Sequence, residues 1–144
     1  MLKTQNPDFK KTIQQKLKNN HFSHLIGFHL TKIKAGSIEG EMKILHHHQQ
    51  QNGFVHGGVA STVCDIVAGF AAFSLVSNNE FVVTAEIKIS YLNPGIGKKL
   101  IARGWVLKAG SKIHFCESEV WSIDGKKKTL IAKATASMAV VSRK

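Results

Sequence analysis

Residues 52–76 read NGFVHGGVASTVCDIVAGFAAFSLV, and this stretch decides the fold. After its paired glycines, apolar residues fall on nearly every side of a helix, which is typical of a helix surrounded by protein. We therefore expect a buried central helix from Gly58 to Val76. Its only charged residue is Asp65. A carboxylate in such surroundings is costly unless it is paired or has a function, so Asp65 is the first candidate functional residue.

Two segments before the helix and four after it have the period of two that predicts β-strands. FHLTKIKA and SIEGEMKIL flank Ala35 and Gly36 as a hairpin. The later strands are expected at residues 81–92, 99–108, 112–123 and 128–141. Two strands, one long helix and a four-stranded meander give an antiparallel sheet curled around a helix, which is the α+β class.

The first strand after the helix has one apolar face. The residues of this face, which we expect to point into the core, are Phe81, Val83, Ala85, Ile87, Ile89 and Tyr91. They alternate with the polar Thr84, Glu86, Lys88 and Ser90. On a regular strand Thr84 would therefore point away from the core.

The chain has the size of one domain. Its 144 residues, 43% of them hydrophobic, can bury a sizeable core, and we expect a single domain over residues 1–144. A short amphipathic helix is expected at about residues 8–20, where Phe9, Ile13 and Leu17 recur at four-residue spacing. Its lysines are placed on the outer faces, which indicates a lid or brace.

Composition limits the partners and the compartment. The formal net charge of +11 favours an anionic partner, such as nucleic acid, acidic lipid or a phosphorylated small molecule. Cys64 and Cys116 lack metal or dithiol spacing, and the N-terminus has no apolar signal core, so we expect a cytoplasmic protein. Asp65 and several small polar residues interrupt the apolar run, which favours a buried helix over a membrane span.

The start of the helix and Asp65 together indicate chemistry on a carbonyl group. A helix N-terminus presents free N–H groups and about half a positive charge, and Gly57 would let a carbonyl oxygen approach them. Asp65 could act on the same carbonyl as nucleophile or as the base that activates water. Eight residues of helix rise about 12 Å, too far for both groups of one chain to meet. Two antiparallel copies of the helix at a two-fold axis would bring Gly57 of one chain beside Asp65 of the other.

These residues carry a resemblance. The pattern H-G-G followed by D at residue 65, opening an apolar helix after a hairpin, resembles the hotdog-fold acyl-CoA thioesterases, in particular their phenylacetate-degradation (PaaI-like) branch. VTAEIKISYLNPG resembles the family's strand after the helix, and LKAGSKIHF its later strand-turn-strand. The resemblance covers residues from about 25 to 141 and implies a sheet wrapped around one long central helix.

The resemblance also implies catalytic roles. Gly57 would supply the amide that polarises the thioester carbonyl, and Asp65 of the partner chain would be the catalytic carboxylate. His56 would steady the turn. Gln50 stands where many PaaI-like members have Asn, and the longer amide could fill the same positioning role. Thr84 falls where the family can place a hydroxyl that holds the lytic water, although a twist or bulge is needed to turn it towards the site.

Coenzyme A would enter as part of the substrate, so no separate cofactor is implied. In the family the nucleotide stays outside the pocket while the pantetheine arm enters a tunnel. The residues that match the segment meeting the nucleotide are Tyr91, Lys108, Ala109, Gly110, Ser111 and Lys112. Lysines and free turn amides suit phosphate oxygens. A homodimer with composite sites is implied, and two such dimers would pair as a homotetramer.

Other functional readings of the sequence are less favoured. His46, His47 and His48 lack a carboxylate or thiol at ligand spacing, so we expect a solvated loop and no metal site. Cys64 is most simply a small core residue. Ser61 and Thr62 belong to no Ser-His-Asp motif. Asn52 and Gly53 are expected to form a turn, and the lysines at 126–128 a solvated hairpin tip.

Three functional alternatives remain open. A hotdog dehydratase normally pairs an Asp with a His on a motif that is absent here. An acyl-CoA-binding protein without turnover is the main alternative, although binding alone needs no carboxylate in the helix. Nucleic-acid binding through the basic surface lacks a zinc-finger spacing, a recognition-helix pattern or an aromatic RNA-binding motif.

Overall fold

One six-stranded antiparallel sheet packs against a long helix, as the computed structural model of residues 2–144 shows. The helices are α1 (Phe9–Lys18), α2 (His21–Ile26) and α3 (Gly57–Phe73), with a 3-10 turn at His46–His48. The strands are β1 (His29–Lys34), β2 (Ser37–Lys43), β3 (Glu80–Tyr91), β4 (Lys99–Ala109), β5 (Ile113–Asp124) and β6 (Lys127–Ser142). The predicted α+β class, with an antiparallel sheet wrapped around one central helix, is confirmed.

Helix α3 buries one face and leaves another open. Its buried positions recur at helical spacing and include Ala60, Cys64, Val67 and Ala71, all of which lie in the hydrophobic core. The opposite positions are at most half-buried within one chain. The expected central helix is therefore confirmed, and in a single chain the side of α3 away from the sheet is partly covered rather than fully buried.

The strand order is β1-β2-β4-β5-β6-β3. The predicted meander of β3 to β6 is therefore wrong, because β3 pairs with β6 at the sheet edge while β4 pairs with β2. The seven-residue connection between β3 and β4 contains Pro94 and two glycines and is no tight hairpin. Alternation indicates which face of a strand is buried, but it carries no information about which strand lies beside it.

A bulge changes the phase of β3. Thr84 pairs with Met138 and Glu86 pairs with Ser137, so Ala85 is the extra residue. Because residues directly opposite each other point to the same face, Thr84 shares the helix-facing side with the buried Met138. Val83, predicted to face the core, is 46% exposed. Past the bulge Ile87 and Ile89 pair with buried alanines and face inward as expected.

The N-terminal segment contains one helix more than the sequence indicates. After α1, Asn20 caps a second short helix by accepting a hydrogen bond from Ser23 N at 3.2 Å, and Gly27 ends it with φ of 77°. The segment is fastened to the end of α3, since Gln5 N donates to Leu75 O at 3.1 Å. No helix within residues 2–144 is long and apolar enough to cross a membrane.

The expected solvated loop describes the exposed His46 and His47 but is wrong for His48. The histidine triplet forms the 3-10 turn, and His48 is buried, with its Nδ1 accepting from Leu45 N at 2.9 Å. Burial and the neighbouring His47 lower the pKa of His48. The carbonyl of His48 accepts from His56 N at 2.8 Å. His48 therefore supports the residue that begins α3, a role that spacing along the chain does not reveal.

Candidate functional site

Asp65 lies half-buried on α3 and forms a hydrogen bond with β3. The hydroxyl of Thr84 donates to its Oδ1 at 2.6 Å. Met138 Sδ also lies 3.4 Å from this hydroxyl, but a hydroxyl has one proton and the carboxylate is the stronger acceptor. The β3 bulge is what turns Thr84 towards the helix. The two lone pairs of the Thr84 oxygen stay available to accept a hydrogen bond from a water molecule.

These two groups open into a cavity of about 390 Å³ between α3, β3, β6 and the N-terminal helices. Its wall is mostly apolar and aromatic. The lining residues are Asp65, Thr84, Ile66, Gly69, Phe70, Phe73, Phe81, Val82, Met138, Lys16, Asn20 and Arg143. We call this the acid cavity, after Asp65.

The N-terminus of α3 lies in a separate place. His56 is its N-cap, and its Nδ1 accepts from Gly58 N at 2.8 Å. No acceptor for Gly57 N–H is found among the hydrogen bonds of residues 2–144. A Cβ at Gly57 would lie 3.2 Å from the Tyr91 ring, so this ring packs directly on the glycine. Gly57 thus presents a free donor at the positive end of the helix dipole.

Gln50 shares a second cavity, of about 350 Å³, with Gly57 and Tyr91. Gln50 Oε1 accepts from Asn52 N, and Gly53, with φ of 81°, closes the predicted turn. The side-chain oxygen of Gln50 is used inside this turn. Its NH₂ group is the side-chain donor that Gln50 can offer to a ligand. We call this the amide cavity. Ile131 and Pro94 are among its apolar lining residues.

Within one chain the two groups of candidate residues do not meet. Gly57 lines the amide cavity and Asp65 the acid cavity, and the two cavities share no lining residue. The helical rise places the two residues about 12 Å apart. The structure places Asp65 beside Thr84 in one group. A second group is formed by Gly57 with His56, Gln50 and Tyr91. Each group is one half of the predicted site.

The candidate nucleotide residues are also divided between the ends of the sheet. Tyr91 pairs with Ala132, whereas Ile113, next to the 108–112 turn, pairs with Ala139. Ala132 and Ala139 are seven residues apart, so these two residue pairs are about 23 Å apart along β6. The turn lies at the Thr84 end of the sheet, since Ala139 also pairs with Val83. Lys108 and Lys112 are both exposed there.

Other nucleophiles on α3 are occupied or unreactive. Ser61 and Thr62 both donate to the carbonyl of Gly58, at 3.0 and 2.8 Å. Cys64 is fully buried, and burial raises its pKa to about 11, so the thiol is protonated at neutral pH. Among residues 2–144 no group of three or more His, Cys, Asp or Glu is placed to hold a metal ion.

Three polar residues of the acid cavity are absent from the expectations drawn from the sequence. Lys16, Asn20 and Arg143 line it, although the lysines of α1 were expected on the outer faces of a brace. Lys16 is half-buried, and its Nζ lies 5.3 Å from the centre of the Phe73 ring. Charge on an amphipathic helix normally indicates a solvated face, so no pattern in the sequence places Lys16 in a cavity wall.

Comparisons with known proteins identify the family of this chain. The family model described as the thioesterase superfamily matches residues 52–129. Human acyl-coenzyme A thioesterase 13 is 25% identical over 108 residues, which cover 74% of this chain and 76% of the human protein. A thioesterase family protein from Silicibacter pomeroyi superimposes with a TM-score of 0.91 at 27% identity, covering 93% of this chain and 98% of that one.

The fold extends to a more distant structure. The PaaI protein from the phenylacetic acid degradation operon of E. coli superimposes with a TM-score of 0.84 at 15% identity. The alignment covers 94% of this chain and 95% of the E. coli chain. At that identity the likeness concerns the fold alone.

Proposed function

The chain belongs to the thioesterase superfamily, with a PaaI-like hotdog fold, and we propose that it hydrolyses an acyl-CoA thioester to a free acid and CoA. The observation that carries this proposal is the hydrogen bond of 2.6 Å from Thr84 to Asp65 at the wall of a largely apolar cavity. Such a pair combines a carboxylate base with a hydroxyl that can hold water beside an acyl group.

Each active site is composed of two chains. The free Gly57 N–H and the Asp65 carboxylate of one chain open into different cavities, so neither half is complete. The open face of α3 supports antiparallel pairing with the same helix of a second chain. Gly69 lies on this face, and a Cβ there would meet nothing within 4 Å in one chain. Pairing about a two-fold axis would generate two equivalent sites.

The proposed reaction begins with water held by Thr84 and Asp65. Asp65 removes one proton, and the hydroxide oxygen forms a bond to the thioester carbonyl carbon. The carbonyl oxygen becomes an oxyanion, which accepts a hydrogen bond from Gly57 N–H at the helix N-terminus. The tetrahedral intermediate then collapses, the C–S bond breaks, and the CoA sulfur takes the proton from Asp65. The Thr84 hydroxyl favours this base mechanism over direct attack by Asp65.

Supporting residues have positioning roles in this proposal. His56 fixes the start of α3 by accepting from Gly58 N, which leaves Gly57 N–H as the donor for the substrate. The Gln50 amide would donate to the substrate next to Gly57. Removal of one such donor in a preorganised site typically costs about 3 kcal/mol in transition-state stabilisation.

The nucleotide of CoA is proposed to bind outside the cavities. Tyr91 and the 108–112 turn lie at opposite ends of one sheet, but a composite site would bring Tyr91 of one chain towards the turn of its partner. Lys108 and Lys112 would then meet the phosphates through charge-assisted hydrogen bonds. This role accounts for part of the surplus positive charge.

Two dimers are proposed to pair through the outer face of the sheet. Leu107 and Phe115 on this face are 56% and 46% exposed, and Trp105 and Trp121 are half-buried there. Exposed apolar groups clustered on one face commonly mark a contact between protein chains. This pairing would give the homotetramer.

Replacement of Asp65 by Asn tests the proposed chemistry. Asn keeps the shape and removes the basic carboxylate, so we expect kcat to fall on the order of a hundredfold or more while acyl-CoA binding persists. A thiol-release assay over a panel of acyl-CoA esters measures the rate, and thermal unfolding shows whether stability is unchanged. Glu86→Gln, at the outer side of the same strand, is the matched control.

Wild-type turnover in Asp65→Asn would contradict the mechanism. If the wild-type chain binds the esters but releases no thiol, the alternative of an acyl-CoA-binding protein without turnover is correct. A large loss of stability with little change in kcat would show that Asp65 is a structural residue.

A further inference from the structure

The acid cavity carries positive charge on the side that the N-terminal helix and the C-terminal strand supply. Lys16 comes from α1, Asn20 from the turn after it, and Arg143 follows β6. Asp65 is the only carboxylate among the described residues that line this cavity. The cavity therefore has a reacting group, a hydrophobic wall and a separate set of cationic and amide donors.

Neither cation forms an ion pair with another residue of the part of the chain that the structure describes. The ion pairs found among residues 2–144 involve His29, Lys32, Lys99, Arg103 and Lys133, and none involves Lys16 or Arg143. The backbone of Arg143 is held by its N–H, which donates to Asn79 O at 2.8 Å. Lys16 is held over the Phe73 ring. Lys16 is half-buried and Arg143 is exposed, so both charges can be reached by a ligand in the cavity.

A third cavity, which is polar, borders the acid cavity at these cations. It measures about 270 Å³ and shares Lys16, Phe73 and Arg143 with the acid cavity. Its other lining residues are uncharged and polar: Asn6, Thr12, Gln15, Asn19, Ser77 and Asn78. The residues that line this polar cavity thus offer many hydrogen-bonding groups and no carboxylate, which suits an anion. Glu80 is bound to one of these lining residues, because its Oε2 accepts from Ser77 N at 3.0 Å and from Ser77 Oγ at 2.8 Å.

The cationic residues lie outside the segment that matches the thioesterase family model. That match covers residues 52–129, which include Gly57, Asp65 and Thr84 but not Lys16, Asn20 or Arg143. The reacting groups thus belong to the part of the chain shared with the superfamily. The cationic side of the cavity is supplied by the two ends of this chain.

We propose that the acyl group of the preferred substrate ends in an anionic group, most simply a carboxylate, which Lys16, Asn20 and Arg143 bind while the thioester lies at Asp65. This inference rests on the proposed function and specifies its substrate class as ω-carboxyacyl-CoA esters. The methylene chain would pack against the aromatic wall, which includes Phe70 and Phe81. Arg143 can form a bidentate pair with the carboxylate, and Lys16 adds a point charge.

Matched ester pairs test this assignment. Succinyl-, adipoyl-, suberoyl- and sebacoyl-CoA are compared with the monocarboxylic acyl-CoA of equal carbon number, and kcat/KM is measured by thiol release. We expect the dicarboxylic ester to be preferred on the order of tenfold at the best-fitting length, as a charged hydrogen bond would give. An ω-aminoacyl-CoA of that length should be the poorest substrate. The preference should decrease as salt is added.

Substitutions test whether Lys16 and Arg143 cause the preference for dicarboxylic esters. In the double variant Lys16→Gln and Arg143→Gln, the ratio between dicarboxylic and monocarboxylic esters should fall towards one, while kcat/KM for the monocarboxylic ester stays within about threefold. Lys18→Gln, an exposed change on the same helix, should leave the ratio intact. If Lys108 and Lys112 meet the nucleotide, changing both to Ala should weaken the two esters equally and also leave the ratio intact.

The outcomes separate this inference from the proposed function. Hydrolysis of monocarboxylic esters with no dicarboxylic preference at any length in the wild-type protein overturns the inference and leaves the thioesterase function standing. Equal losses on both esters in the double variant also overturn it, since the two cations would then bind the CoA part. Absence of thiol release from every ester contradicts the proposed function itself.

Discussion

At the scale of the residue, the contact between Thr84 and Asp65 is the most informative feature of the site. The Thr84 hydroxyl donates to the carboxylate and, in the proposed reaction, accepts a hydrogen bond from the attacking water. Thr84→Val keeps the shape and removes both functions, so we expect kcat to fall roughly tenfold to a hundredfold with little change in KM. Thr84→Ser should retain most of the activity. Steady-state thiol release measures both.

Thr135→Val serves as the control, because this residue is exposed on β6 and lies away from the acid cavity. Full activity in Thr84→Val would show that the hydroxyl is not needed for the reaction. A loss in Thr84→Ser equal to that in Thr84→Val would assign the effect to packing.

We expect His114 to make the stability of the fold depend on pH. This residue is buried in the core with Nδ1 unpartnered, and burial lowers its pKa, opposed by the carbonyls of Ala72 and Gly110 and by Glu80. A histidine with a lowered folded-state pKa binds more protons when unfolded, so its contribution to stability is present above about pH 6.5 and is lost as pH falls through the folded-state pKa. We expect Tm to fall between pH 7.5 and 5.5.

In His114→Gln this dependence on pH should become weaker, and calorimetric or fluorescence melts at several pH values measure it. His48 contributes in the same direction, because its pKa is also lowered by burial. The exposed variant His21→Gln should keep the wild-type slope. An unchanged slope in His114→Gln would show that the imidazole of His114 does not titrate in this range.

At the scale of the element, α3 and β4 approach each other so closely at Gly104 that no side chain fits at this position. A Cβ at Gly104 would lie 2.5 Å from the carbonyl carbon of Val67 and 2.6 Å from Ala68 N. Both are helix backbone atoms, so the whole helix would have to move. We expect Gly104→Ala to cost about 1–3 kcal/mol, as overpacked cores do, and to lower Tm by several degrees.

The same displacement should reduce activity, because Gly57 and Asp65 are both placed by α3. Arg103→Ala is the matched control, since the neighbouring side chain is exposed on the other face of β4. Wild-type stability in Gly104→Ala would mean that the helix has room to shift, which the contact distances contradict.

At the scale of the whole molecule, composite sites predict that two defective chains can complement each other. Gly57→Pro removes the proposed oxyanion donor at the first position of a helix, where proline is tolerated, and His56 already has the extended backbone that a following proline requires. Mixed with Asp65→Asn in equal amounts and allowed to exchange, it should form mixed dimers that contain one intact site. The mixture should recover about a quarter of wild-type activity, since half of the dimers are mixed.

Gly57→Ala is the control for steric effects, because it adds a Cβ against Tyr91 but keeps the N–H. It should retain much more activity than Gly57→Pro. A mixture that stays inactive although subunit exchange is demonstrated would contradict composite sites. A fully active monomer at assay concentration would contradict them as well.

The parts of the molecule that could be predicted from the sequence are those with local signals. Periodicity within short segments predicts the buried helix and the six strands. Asp65 stands out because it is the only charged residue in the stretch 52–76. The place of β3 beside β6 does not follow from local signals, because strand pairing is decided by contacts between distant segments. The burial of His48 and the position of Lys16 in a cavity wall depend likewise on tertiary packing.

The arrangement of the N-terminal helices has a consequence for inheritance. They form a continuous segment ahead of the sheet, and Gly27, with φ of 77°, closes α2 shortly before β1 begins at His29. A single genetic crossover near this glycine would exchange one wall of the acid cavity while every β-strand and α3 came from the same parent. Descendants could therefore acquire a different acyl preference by recombination at one point and keep the same carboxylate, hydroxyl and amide.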